Sequence, residues 1–203
     1  RILGPQSLTF QERMDGKKLV EGDALNQVIL YTSAMMEVKS SMGVIVAAPT
    51  AGSCGALPGA IIGIGKTLEL TEDDMVKVML AAGIIGVFIA AHATFAAEVG
   101  GCMAECGSGS GMAAAGIVSL KKGTLDQSLS AASMALQSCL GMICDMIADR
   151  VEAPWLNRNV MAATNAISCA NMALSDYNQL IPLDEGVETM KSAGDVLPNT
   201  CCV

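Results

Sequence analysis

This 203-residue chain predicts an all-α fold, and three observations carry that expectation. Hydrophobic residues make up 52% of it but aromatics only 3%, so Ala, Gly, Met, Ile, Leu and Val must fill the interior. Such small side chains let helix backbones approach, whereas sandwich strands favour aromatic and β-branched residues. Apolar residues also recur at helical spacing, and no segment alternates with the period of two of a half-buried strand. The length suits one core, so a single domain over residues 1–203 is expected: a compact bundle of packed helices with a buried central apolar helix and glycine-rich turns.

Residues 23–41 read as an entry helix, with Leu25, Val28, Ile29, Ala34 and Met35 apolar. The hydrophobic run Met42–Pro49 ends in a small-residue turn, Thr50-Ala51-Gly52-Ser53-Cys54-Gly55, of a kind that exposes backbone N–H groups to an anion. Helices are predicted over 56–68 and 72–97, the second capped by Thr71 and opened by Glu72, Asp73 and Asp74, which complement the macrodipole. Within it, residues 78–97 hold one strongly polar side chain, His92, and are long enough to span a bilayer. Because no Trp or Tyr belt and no flanking Lys/Arg cluster accompanies them, the central buried helix is preferred and no membrane is expected. After the glycine-rich stretch 100–111, an apolar helix over 112–120 stops at Lys121-Lys122-Gly123. Thr124 caps a helix running to about Arg150, which Pro154 ends; helices over 159–180 and 184–193 complete the chain, the last between Pro182 and Gly194.

A formal net charge of −8 argues against phosphate-backbone binding, so nucleic acid is not an expected partner. Only 16% of residues are charged, which predicts that another subunit or domain covers part of the surface, hence an oligomer. Eight cysteines without an apolar secretory leader point to a reducing compartment, and a cytoplasmic location is expected. No Walker-type glycine loop occurs, and no strand precedes a dinucleotide fingerprint, so a phosphate-binding enzyme is not expected.

Cys102 and Cys106, four apart among glycines, can reach one metal centre, or can be small buried hydrophobes. Cys139, Cys144 and Cys169 lie on apolar stretches and read as core. The vicinal Cys201-Cys202 pair reads equally as a tethered ligand or redox pair, or as nothing special. His92, the single histidine, is a core imidazole or a proton-transfer group. Glu98 and Glu105 flank the glycines, as exposed carboxylates or as groups that orient ligands and shuttle protons.

Three stretches then carry a resemblance: Ala48-Pro49-Thr50-Ala51-Gly52-Ser53-Cys54-Gly55, then Glu98-Val99-Gly100-Gly101-Cys102-Met103-Ala104-Glu105 with Met112-Ala113-Ala114-Ala115, then Cys144-Asp145 followed by Arg158-Asn159. The chain resembles the α subunit of the iron-sulfur L-serine dehydratases, which use no pyridoxal phosphate. The resemblance implies a 4Fe-4S cluster on three cysteines with one iron open to substrate, a β subunit or β domain as partner, and conversion of L-serine to pyruvate and ammonia. Cys102 matches the first ligand and Cys144 the second. The third is expected 11 residues further on, after a proline, where Trp155 stands. Cys106 is the nearest substitute in sequence, with Cys139, Cys169 and the tail pair Cys201 and Cys202 as others. The turn of Thr50, Ala51, Gly52 and Ser53 is the candidate for the substrate carboxylate, and His92 a candidate base. A cysteine desulfidase with the same cluster chemistry, or a non-catalytic subunit, are the alternatives.

Overall fold

The computed structural model describes residues 4–144, 152–177 and 179–198. Among them the elements are α1 (Ser7–Asp15), α2 (Asp23–Ser40), α3 (Ala56–Thr67), α4 (Glu72–His92), α5 (Ala97–Cys102), a π turn (Met103–Gly107), α6 (Ser108–Leu120), α7 (Leu125–Gln137), α8 (Glu152–Leu174) and α9 (Leu183–Asp195). No strand occurs among the described residues, and the all-α expectation holds.

The central buried helix is α6, not α4. Every residue from Ser108 to Val118 is buried, because Gly and Ala on all its faces let α3, α4, α7 and α8 close around it. Alanines 114, 131, 132, 135, 163, 166 and 170 are all fully enclosed in these contacts. At such positions a larger side chain would cost about 1–3 kcal/mol in overpacking. Polar lashing adds to this: Asn165 Nδ2 donates to Ser110 Oγ and to the Ala135 carbonyl, both at 3.0 Å, while Ser110 Oγ donates to the Ala162 carbonyl at 2.7 Å. One amide thus ties α6, α7 and α8 together. Helix α4 buries only the face of Val78, Ala82, Ile85, Gly86 and Ile89.

Local sequence explains most boundaries. Thr124 and Gln127 form a reciprocal capping box at α7, and Thr71 Oγ1 accepts from the Asp74 N–H at the start of α4. Several boundaries differ from expectation, α6 beginning at Ser108 rather than 112 and α8 ending at Leu174 rather than 180 among them. Helix α8 begins at Glu152 with Pro154 inside its first turn, where the missing N–H has no intrahelical acceptor anyway. Helix α7 stops at Gln137, short of Arg150, and the chain peels away so that the Met142 carbonyl accepts from the Met103 N–H at 2.9 Å. Helix α4 ends at His92 because Ala93 leaves helical geometry. Sequence reading also missed α1, which buries no residue. It is docked instead by the buried carboxylate of Glu37, which accepts from the N–H groups of Gln6 and Ser7 and from Ser7 Oγ at 2.7–2.9 Å, an acidic cap at a helix N-terminus.

Candidate functional site

Cys102 closes α5 and Cys144 lies seven residues beyond the end of α7 at Gln137, yet their sulfurs lie 3.8 Å apart, both buried. Two features of the chain bring them together. Gly101 interrupts the helix with φ +65°, and a side chain there would meet the Met142 carbonyl at 3.1 Å; only glycine accepts both the left-handed backbone and the close approach. The Met103 N–H to Met142 carbonyl bond then pins the segment leading to Cys144 against the π turn. Cys144 Sγ also lies 3.8 Å from the Ala97 carbonyl. At about 2.3 Å per metal–sulfur bond, two thiolates on one tetrahedral metal ion sit roughly 3.8 Å apart, so the pair is close enough to serve one centre.

Burial raises the Cys102 thiol above its ordinary value, and the positive charge of Arg158 pulls it back down. Arg158 is held on α8 by a hydrogen bond from Nη1 to the Ile143 carbonyl. Trp155, one turn earlier, packs against Ala97, Cys102 and Cys144, and the Lys39 ammonium sits 3.6 Å over its ring. The position where a third cysteine was expected is therefore beside the pair in space, filled by an indole. Its N–H is buried with no hydrogen-bond partner; it can donate to a sulfur but cannot ligate iron.

The other thiols do not join them. Cys106 packs with Ala56 and Ala162, and burial, followed by the neighbouring Cys102, holds it well above the ordinary thiol value. Cys139 and Cys169 are buried as expected for core, Cys139 pushed up to about 12 by desolvation. Among the described residues no three His, Cys, Asp or Glu side chains converge on one metal position. Cys201 and Cys202 lie outside the described residues.

The turn at Thr50–Ser53 is wired inward. Thr50 Oγ1 donates to Glu105 Oε1 at 2.5 Å and lies 2.9 Å from Ser53 Oγ, and the Ser53 N–H donates back to Thr50 Oγ1 at 3.1 Å. Asn159 Oδ1 accepts from the N–H groups of Gly55 and Ala56, while its Nδ2 donates to the Gly52 and Trp155 carbonyls. Gly52 has no room for more: a Cβ there would fall 2.2–2.4 Å from the Glu105 carboxylate. Glu105 is 6% exposed, its Oε2 makes no hydrogen bond among the described residues, and desolvation raises its carboxyl above the usual range while the Thr50 bond and Lys39 lower it. Glu98, by contrast, is exposed. The sequence offered Glu105 only as one of two flanking carboxylates; the Gly52 contact that singles it out spans 53 residues of chain.

His92 is exposed, not a core imidazole. Its ring centroid lies 4.7 Å from that of Phe88, and it lines a cleft with Asp184, Glu188 and Lys191 of α9. No described contact joins it to Cys102, Cys144 or Glu105.

The family model described as serine dehydratase alpha chain matches residues 3–202. The chain is 37% identical over 197 residues to a probable L-serine dehydratase, alpha chain, of Bacillus subtilis (strain 168), covering 97% of this chain and 66% of that one. It is 42% identical over 178 residues to the corresponding probable alpha chain of Latilactobacillus sakei, covering 88% and 85%, and 40% identical over 187 residues to the L-serine dehydratase, alpha chain, of Peptoniphilus asaccharolyticus, covering 92% and 64%. It spans just under two thirds of the Bacillus and Peptoniphilus proteins. With the sulfurs of Cys102 and Cys144 meeting beside the Thr50–Glu105 turn, the chain belongs to the serine dehydratase alpha-chain family.

Proposed function

We propose that this chain is the catalytic α portion of an L-serine ammonia-lyase that eliminates water from L-serine, releasing pyruvate and ammonia, and that it works with a β partner. The observation that carries the reading is the meeting of Cys102 and Cys144, separated by 42 residues of chain, at 3.8 Å. Their donor chemistry suits a 4Fe-4S cluster, on which each thiolate would take its own iron and the two sulfurs would part beyond the 3.8 Å they keep here; Trp155 cannot be a third ligand, and Cys201 and Cys202, outside the described residues, are candidates for one. When bound, the cluster supplies a Lewis acid that polarises the substrate hydroxyl.

The chain's own residues do the rest. Arg158 offsets negative charge gathered at Cys102, and the buried, unpartnered indole N–H of Trp155 is a donor available to a cluster sulfur. The turn of Thr50, Ala51, Gly52 and Ser53 receives the substrate carboxylate, with the Ser53 hydroxyl turning its proton from Thr50 Oγ1 to meet it while the Thr50 proton stays on Glu105. Glu105 fixes Thr50 through Oε1, and its buried Oε2, without a hydrogen-bond partner among the described residues, is the atom at which burial favours uptake of a proton. It replaces His92 as the titratable group best placed beside the turn.

Trp155 favours a second reading, a family member that folds like its relatives and assembles with them without catalysis. The two separate by assay. Anaerobic reconstitution with iron and sulfide, followed by pyruvate release from L-serine in the presence of the β partner, gives turnover on the first reading. Trp155→Cys raises cluster content and turnover. If neither protein forms pyruvate while both bind iron and sulfide, the catalytic reading fails.

A further inference from the structure

Helix α4 carries a second apolar face that nothing among the described residues covers. Opposite its buried side, Val76, Leu80, Ile84 and Val87 are 55%, 68%, 70% and 71% exposed, with Ala90 and Ala91 exposed beyond them. From residue 78 to residue 91 the helix holds no charged side chain. At its centre lies Gly83, where an added Cβ would meet nothing within 4 Å, so the surface dips at the point where Ile84 projects beside it.

The stripe is self-complementary. A two-fold axis midway between Gly83 and Ile84, with two α4 helices antiparallel, sets Val76 against Ala91 of the second copy and Leu80 against Val87. At the axis each Ile84 is a knob over the hole at Gly83 of the other helix. Large faces small at the ends and centre, and medium faces large between them. The same arrangement puts the acidic opening turn, Glu72, Asp73 and Asp74, beside the other copy's C-terminal His92, and opposes the helix dipoles. An isologous interface needs this match of a surface to itself. We propose that α4 is the contact through which two copies of this chain associate. The helix is about 31 Å long at 1.5 Å per residue, which places the pair near the lower end of specific interfaces, roughly 1,000 Å² in total.

The test is sedimentation velocity on the purified chain up to about 100 µM, a concentration that populates a dimer of micromolar dissociation constant. The wild type is expected to dimerise. Gly83→Leu fills the hole, and because a Cβ there meets nothing within 4 Å among the described residues and Leu is a better helix former than Gly, the helical circular dichroism is retained while the dissociation constant weakens at least tenfold. Ile84→Gln, at an exposed position, removes the knob with the same outcome. A monomeric wild type, or a dimer unmoved by both substitutions, overturns the proposal. So does flotation of the wild-type chain with phosphatidylcholine vesicles that Gly83→Leu leaves intact, since a lipid surface has no use for the hole.

Discussion

Replacing Asn159 by alanine should unfasten the Thr50–Ser53 turn from α8 and destabilise the whole chain by about 3–5 kcal/mol. Asn159 is fully buried and spends all four of its hydrogen-bonding sites. Oδ1 accepts from Gly55 at 3.1 Å and Ala56 at 2.9 Å, and Nδ2 donates to Gly52 at 2.7 Å and Trp155 at 2.9 Å. Three of these partners lie more than 100 residues away in sequence, so no local rearrangement replaces them. Each buried group left unsatisfied costs about 1–3 kcal/mol, and the three share one neighbourhood, so the losses fall short of their sum. Urea denaturation followed by far-ultraviolet circular dichroism measures the change, with the slope of the transition as the check that the unfolded state is unaltered. Asn159→Asp sharpens the test. A carboxylate still accepts from Gly55 and Ala56 at the N-terminus of α3, where negative charge is favoured, but it faces the Gly52 carbonyl acceptor to acceptor. The aspartate variant should therefore lose less stability than the alanine variant while loosening the turn as much, seen as faster hydrogen exchange at Ser53. A loss below about 1 kcal/mol for Asn159→Ala would refute the reasoning.

Three further outcomes are expected. Because burial raises the folded-state pKa of Glu105, the folded chain binds more protons than the unfolded one between the ordinary carboxylate range and the raised value. Stability therefore falls as pH rises through that window, and Glu105→Gln should remove this part of the slope in urea midpoints taken across mildly acidic pH; an unchanged slope contradicts it. Gly52→Ala pushes a methyl into the Glu105 carboxylate and should cost about 1–3 kcal/mol as overpacking, most of it recovered in Gly52→Ala with Glu105→Ala. A double-mutant cycle showing no coupling would count against the contact. Treating the metal-free protein with diamide should join Cys102 to Cys144, since 3.8 Å needs only a modest closure to a bond of about 2.05 Å; peptide mass spectra dominated by other pairs would contradict the placement.

How much of this was legible in the sequence depends on the range of the interaction. The starts of α4 and α7 follow from Thr71 and Thr124, whose caps act within three residues. The extent of α7 did not, because apolar periodicity runs past Gln137 and a tertiary bond from Met103 to Met142 overrides it. Pro154 misled by its ordinary meaning as a breaker, when the first turn of α8 tolerates it. The long apolar stretch of α4 looked like the centre of the core because hydropathy counts residues without regard to side; the centre is the smaller, glycine-rich α6, whose lack of bulk is what lets four helices close on it. Motif likeness nominated Cys102 and Cys144, which the fold brings together, and spacing nominated Cys106, which packs with Ala56 and Ala162. Glu105 was singled out only together with Glu98, and Asn159 only as part of a motif, because their partners are the backbone and hydroxyls of a turn some 50 and 100 residues earlier.

The central claim is that Cys102 and Cys144 hold one metal centre. Iron and acid-labile sulfide counted after anaerobic reconstitution of the wild type, Cys102→Ser, Cys144→Ser and Cys139→Ser test it most directly. The account predicts iron with sulfide in the wild type, retained in Cys139→Ser and lost from both Cys102→Ser and Cys144→Ser. Iron that survives either of those two substitutions, or that disappears with Cys139, would contradict it.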